Sequence, residues 1–183
     1  METYRLQVAG LERDLPICPL NENLSIAGFV MFGDVEMTVA SAAELLKRAG
    51  EFDLIITAES KGIPLAYEMS RQSGKKYILA RKSIKLYMQD PVSVSVKSIT
   101  TAQVQTLYLD SSDMEQLNGK KVLIVDDVIS TGGSLKAMEA LVEKAGGIVT
   151  GKIAVLAEGG AADRTDIKFL AKLPVFNADG TVK

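Results

Sequence analysis

Val122-Leu123-Ile124-Val125-Asp126-Asp127-Val128-Ile129-Ser130-Thr131-Gly132-Gly133-Ser134 carries the densest structural information in the chain. Val122–Val125 is a short apolar run suited to a strand buried on both faces. Two adjacent carboxylates end it. Small, hydroxyl-bearing and glycine residues then lead into a helix predicted over 133–145, with Leu135, Met138, Leu141, Val142 and Ala145 on one side and Gly146-Gly147 as its stop. Gly132 and Gly133 permit close approach to the backbone. Free amides at the helix start, with the hydroxyls of Ser130, Thr131 and Ser134, make a cradle for a phosphate dianion. The loop is not a Walker A motif, because the Gly-Lys-Ser/Thr ending is missing. Acids beside such a cradle must face something else. Ribose hydroxyls and magnesium-bound waters are the candidates, so the implied ligand is a ribose 5-phosphate unit.

The flanking sequence repeats the strand–helix alternation. Leu54–Ile56 and Tyr77–Ala80 read as strands, and Ile148–Leu156 returns as another. Helices are predicted over Thr38–Ala49, stopped by Gly50, and over Pro64–Ser73, with proline in the first turn and Gly74 after its end. Strands separated by single helices imply βαβ units and an α/β fold, with ligands beyond the carboxyl ends of a mainly parallel sheet. Val92, Val94 and Val96 alternate with polar residues, and Val104–Leu109 is also extended. The two form a hairpin arm around Ser98–Gln103.

Composition narrows the function classes. The 183 residues fit one domain of roughly 100–200 residues. No repeat or linker divides them. A net charge of −2 argues against a general polyanion-binding surface. Histidine is absent, which excludes Ser-His-Asp and Cys-His chemistry and His-ligated zinc. Cys18 is the single cysteine, so no intrachain disulfide forms and a reducing cytoplasm is expected. The N-terminus lacks the apolar core of a signal peptide, and no apolar run approaches the roughly 20 residues of a membrane span. With no tryptophan and few aromatics, a stacking platform for single strands is not expected.

The segment from Val122 to Ser134 resembles the phosphoribosyl-pyrophosphate signature of type I phosphoribosyltransferases. Over roughly residues 50–160 the chain is similar to the purine branch, especially the adenine and xanthine enzymes and the related purine-repressor domain. The resemblance implies a type I phosphoribosyltransferase fold: a central, mainly parallel sheet flanked by helices, a small hood from about 1–30 and 157–183, and a flexible hairpin at about 92–109. It implies that Asp126 and Asp127 hold the ribose 2′- and 3′-hydroxyls and are catalytic, and that Ser130, Thr131, Gly132, Gly133 and Ser134 bind the 5-phosphate. Mg²⁺ arrives mainly on the pyrophosphate, with no direct protein ligand.

Other segments take roles from the same resemblance. Ser60, Lys61 and Gly62 fall where the family places its pyrophosphate loop, and Gly62 with Pro64 favours a tight turn before the next helix. Arg81, Lys82 and Lys85 crowd the end of the Tyr77–Ala80 strand, which suits an extended pyrophosphate. In the adenine-type family the last lysine of a similar pattern reaches a neighbouring subunit, which implies a homodimer. The hairpin would close over the site and exclude water. Unlike the adenine enzymes' loop it carries no acid between Asp90 and Asp110. Thr100, Thr101, Gln103 and Gln105 stand there instead, and in this feature the chain resembles the xanthine enzymes and the repressor domain more closely. Arg13 and Asp14 resemble an N-terminal Arg-Asp stretch of the adenine family and, with Glu158, are assigned to the base.

The expectation is a cytoplasmic, Mg²⁺-dependent purine phosphoribosyltransferase that joins phosphoribosyl pyrophosphate to a purine, adenine first, without nucleic-acid or membrane partners. Two alternatives stay open: a xanthine or guanine enzyme, and a regulator that binds phosphoribosyl pyrophosphate without turnover. A phosphoribosyl-pyrophosphate synthetase normally needs two copies of the domain, for which the chain is too short.

Overall fold

The buried strands organise the molecule. In the computed structural model, which describes residues 2–97 and 104–183, five strands form one parallel sheet. These are β4 (Leu54–Ala58), β5 (Lys76–Ala80), β8 (Lys121–Ile129), β9 (Ile148–Glu158) and β10 (Lys168–Leu173), in the order β10-β9-β8-β4-β5. Helices α1 (Val35–Leu46), α2 (Ile63–Ser73) and α4 (Gly133–Lys144) cover its faces. Every residue of β4 is buried, as a strand covered on both faces requires.

A second, antiparallel sheet forms the hood. It comprises β1 (Thr3–Val8), β2 (Leu11–Asn21), β3 (Leu24–Ala27) and β11 (Val175–Asn177), in the order β1-β2-β3-β11. Leu6, Val8, Leu15 and Ala27 from the hood join Ile55, Leu123 and Val125 of the central sheet in one apolar cluster. The hairpin is β6 (Val92–Lys97) with β7 (Val104–Leu109), in register from Val92 opposite Leu109 to Lys97 opposite Val104. A short helix, α3 (Ser111–Leu117), leads from it to β8. Thr100, Thr101 and Gln103 lie outside the described residues.

Two elements depart from expectation. Helix α1 starts at Val35 rather than Thr38, because the Asp34 carboxylate accepts from the Met37 amide and caps it there. Strand β8 does not end at the acids but continues to Ile129. Its ladder with β4 stops at Ile124, whereas its ladder with β9 runs on through Ile129 opposite Ala157. The acids therefore stand on a strand paired on one side only, beside the gap that β4 leaves. That gap is the crevice in which ligands of open α/β sheets bind.

Candidate active site

A cavity of about 330 Å³ opens in that gap. The loop after β4 contributes Glu59, Ser60 and Lys61; the turn after β5 contributes Lys82; β8 and its loop contribute Asp126, Asp127, Ser130 and Ser134. Ile26, Ala27, Gly28, Phe29, Glu158 and Leu173 close the hood side.

The β4 loop approaches β8 very closely. A Cβ on Gly62 would stand 2.5 Å from Thr57 Oγ1 and 3.2 Å from Asp126 Oδ1, so glycine is required by space alone. Pro64 occupies the first turn of α2, and no side chain caps that helix. Its first amides remain for an anion. The Glu59–Ser60 peptide bond is cis. Lys61 Nζ lies 4.0 Å from Asp127 Oδ2.

Asp127 is almost fully buried, yet its Oδ2 has no hydrogen-bond partner among the described residues, and neither has Thr57 Oγ1. Buried polar atoms without partners are uncommon and cost about 1–3 kcal/mol each. Asp126 Oδ1 accepts from the Asp127 amide at 3.0 Å. Burial, followed by the neighbouring Asp127 charge, pushes the Asp126 carboxyl well above the usual carboxylate range. Lys61, 4.0 Å from Asp127 Oδ2, offsets this rise only in part.

The loop from Ser130 to Ser134 lines a smaller recess of about 70 Å³ with Asp126 and Gln105. Gly132 has φ +80° and no side chain caps α4, so the first amides of that helix are available to a ligand. Arg164 Nη1 lies 2.7 Å from where a Cβ on Gly132 would be. Asp166 grips this guanidinium through Nε at 2.9 Å and Nη2 at 2.7 Å. Lys152 bridges Asp166 to Glu139 of α4, at 2.7 Å to each. The fork thus buttresses the loop and is fixed in turn to the helix that the loop begins. Arg164 was not anticipated; its nearness to Gly132 is a tertiary fact without a local sequence signal.

Glu59 was also missed as a functional group. Its carboxylate takes Arg81 Nε at 2.7 Å and the Lys82 amide at 2.7 Å, with Lys85 Nζ at 3.8 Å. Burial would raise the Glu59 carboxyl, but these donors outweigh it and hold it below its ordinary value. Arg81 also contacts the Tyr87 hydroxyl. Arg81 and Lys85 are therefore tied to Glu59 and do not line the cavity, whereas Lys82 does. A lone acid facing three cations at neighbouring strand ends was the available signal.

Arg13 and Asp14 are not at the cavity. Neither lines it, and both side chains are committed to ion pairs elsewhere. Arg13 forks onto Asp34 at 2.7 and 3.0 Å and reaches Glu36 at 2.8 Å, tying the hood to the start of α1. Asp14 pairs with Arg5 directly across the β1–β2 ladder. Glu158, the third residue assigned to the base, does line the cavity, and burial raises its carboxyl.

Among the described residues no group of three or more acids, histidines or cysteines is placed to hold a metal. Asp127 Oδ2, a buried carboxylate oxygen without a hydrogen-bond partner, fits a water of a hydrated Mg²⁺.

A parallel sheet, an acid pair on its central strand and two loops with uncapped helix starts at neighbouring strand ends thus converge at its carboxyl side. The sequence profile of the phosphoribosyl transferase domain family matches residues 33–178, and the chain belongs to that family. It is similar to the hypoxanthine/guanine phosphoribosyltransferase of Methanothermococcus okinawensis, at 29% identity over 167 residues covering 88% of this chain and 85% of the relative. It is 34% identical over 124 residues to the adenine phosphoribosyltransferase of Kosmotoga olearia, covering 68% and 69%. The crystal structure of adenine phosphoribosyltransferase from Thermoanaerobacter pseudethanolicus matches with a TM-score of 0.71 and 25% identity, over 86% of this chain and 95% of that one. The fold is thus the type I phosphoribosyltransferase fold.

Proposed function

We propose that the chain transfers the ribose 5-phosphate unit of phosphoribosyl pyrophosphate to a purine, adenine in the first place, releasing pyrophosphate and a nucleoside monophosphate. One observation carries the reading: the buried, unpartnered Asp127 Oδ2 lies in a single cavity between a cation-bearing loop and a hydroxyl-bearing loop. The C1–oxygen bond breaks with its electron pair leaving on pyrophosphate, a bond from a purine ring nitrogen to C1 forms, and that nitrogen's proton passes to solvent or to the departing pyrophosphate. Asp126 and Asp127 hold the ribose hydroxyls and oppose positive charge developing on the sugar. Ser60, Lys61 and Lys82 receive the departing pyrophosphate. Gly62 keeps the loop close, and Arg81 and Lys85 act through Glu59, which orders the Lys82 turn. Ser130 to Ser134 hold the 5-phosphate. Mg²⁺ held on the pyrophosphate would supply neutralisation of leaving-group charge, beside Asp127.

The hood side suits a purine. It offers Ile26, Ala27, Phe29 and Leu173 as apolar walls and Glu158 as an acceptor. Adenine's exocyclic amine donates to such an acceptor, and so do the N1–H of a 6-oxopurine and the 2-amine of guanine. The choice of adenine rests on relatives named as adenine enzymes, and the relative named a hypoxanthine/guanine enzyme keeps a 6-oxopurine as the second reading.

The exposed apolar face beside the site supports a homodimer. Phe32, Val35, Val39 and Tyr67 are exposed around a groove of about 530 Å³ that reaches Ser60. A second copy would cover it. The apolar cluster shared by the hood and central sheet supports a single domain over 1–183. Among the described residues no helix is long and apolar enough to cross a membrane, and the free, exposed Cys18 suits a reducing cytoplasm.

The test is incubation with phosphoribosyl pyrophosphate, Mg²⁺ and adenine, hypoxanthine, guanine or xanthine. AMP formation with kcat/KM highest for adenine is expected. Preference for a 6-oxopurine would reassign the base. Tight substrate binding without any nucleotide would favour a sensing role.

A further inference from the structure

Gln105 is a polar side chain that the cradle's own sequence does not supply. It lies on β7, where a period of two places it on the same face as Leu107 and Leu109. Both leucines are fully buried in a cluster with Leu135, Met138 and Leu141 of α4. The hairpin therefore has a fixed face against that helix. It climbs α4 from the C-terminal end, where Lys144 Nζ donates to the Ser93 carbonyl at 3.2 Å. One step beyond the leucines, Gln105 arrives at the cradle. Its Nε2 donates to Ser134 Oγ at 2.7 Å, and its Oε1 stands 3.2 Å from the position of a Cβ on Gly133. The carboxamide thus closes the recess whose other walls include Ser130, Thr131 and the glycines.

We propose that Gln105 is a ligand of the ribose 5-phosphate, carried by the hairpin rather than by the cradle. The proposal rests on reading Ser130–Ser134 as the 5-phosphate site. A carboxamide nitrogen has two hydrogens, and one engages Ser134. The second can serve a phosphate oxygen in the recess. Because Ser134 Oγ accepts from Gln105, its own hydroxyl hydrogen is directed elsewhere, and the dianion is the acceptor within reach. Occupancy of the cradle and the position of the hairpin are then linked through one side chain. The two leucines supply rigid support, and Gln105 supplies the chemistry.

The experiment is calorimetric titration of the whole chain with ribose 5-phosphate and, separately, with pyrophosphate plus Mg²⁺. Wild type, Gln105→Ala and Gln105→Glu are compared. Ribose 5-phosphate should bind about tenfold more weakly to Gln105→Ala, as for loss of a hydrogen bond to a charged group. The loss should be larger still in Gln105→Glu, where a carboxylate faces the dianion. Pyrophosphate affinity should be unchanged in both, which also shows that they are folded. Ribose 5-phosphate affinity equal to wild type in both variants would overturn the proposal. So would equal losses for both ligands, which would mark a general distortion. Failure of wild type to bind ribose 5-phosphate while binding pyrophosphate would overturn the cradle reading itself, and this proposal with it.

Discussion

The loop at Ser60–Gly62 and the loop at Ser130–Ser134 occupy equivalent places at the ends of adjacent parallel strands, yet they present charge differently. Both lead into helix starts that no side chain caps, and the first adds charged side chains to its amides. Lys61 and Lys82 are exposed cations, and Asp127 Oδ2 stands 4.0 Å from Lys61 Nζ. The second relies on backbone. Gly132 and Gly133 lead into α4, whose leading amides no side chain caps, and Arg164 supports the turn at Gly132. A leaving group must be held and then released, which suits mobile, partly compensated cations. A handle that stays bound through the reaction suits preorganised amides, which need no rearrangement.

The sharpest break in this comparison comes from filling the glycines. Gly132→Val forces a β-branched residue into φ +80° and against Arg164, and should lower kcat/KM about a thousandfold, or about 4 kcal/mol. Steady-state kinetics would show a variant within tenfold of wild type if the backbone were not the binding element. Gly62→Val should cost as much activity and also lower Tm, because Thr57 is part of the core.

Next in size are the acids between the loops. Asp126→Asn and Asp127→Asn should each lower kcat/KM by about 3 kcal/mol. Asp126→Asn should also raise Tm at neutral pH. The folded carboxyl sits above its ordinary value of 3.8, chiefly through burial. Its contribution to stability is complete below that ordinary value and is lost as pH rises through the folded one. The amide removes this loss, and each kcal/mol relieved raises Tm by about 2–4 °C. A thermal melt showing destabilisation at pH 7 would mean that the ionised pair is already compensated within the fold.

Lys61→Ala should weaken pyrophosphate about tenfold and leave ribose 5-phosphate unchanged. Raising salt should shrink the gap between Lys61→Ala and wild type, because exposed charges are screened over about 8–10 Å at ordinary ionic strength. A salt-independent gap would show that Lys61 acts by shape rather than charge. The smallest expected effect is from Arg164→Ala. Ribose 5-phosphate should weaken about threefold, since the guanidinium buttresses the loop and the amides remain. A hundredfold loss would make it a direct phosphate ligand.

Much of this comparison was legible before the fold was known. Apolar runs located β4, β5, β8 and β9, and glycines marked the ends of α2 and α4. The backbone loop was the clearer of the two, because its function resides in small residues whose conformational freedom is visible in sequence. The side-chain loop was legible only in part. Arg81 and Lys85 look like free cations until Glu59 is brought beside them from 22 and 26 positions away in sequence. The end of β8 was misjudged at Val125 because polarity resembles a strand end. Only the neighbouring β9 ladder shows that pairing continues past the acids. Arg13 and Asp14 also look free in sequence until Asp34, Glu36 and Arg5 are brought beside them. In the hood, β2 carries Pro16 and Pro19 beside Glu12, Arg13 and Asp14, and β3 and β11 are too short to show a period; their stability comes from the apolar cluster shared with the central sheet.

The division of labour between the loops is tested most directly by titrating Lys61→Ala and Gly132→Val with ribose 5-phosphate and with pyrophosphate plus Mg²⁺, in one calorimetric matrix beside wild type. The predicted result is a crossed pattern: Lys61→Ala loses pyrophosphate alone, and Gly132→Val loses ribose 5-phosphate alone. If either variant lost both ligands in equal measure while retaining the wild-type fold, the two anions would share one site, and the separate roles of the side-chain loop and the backbone loop would be contradicted.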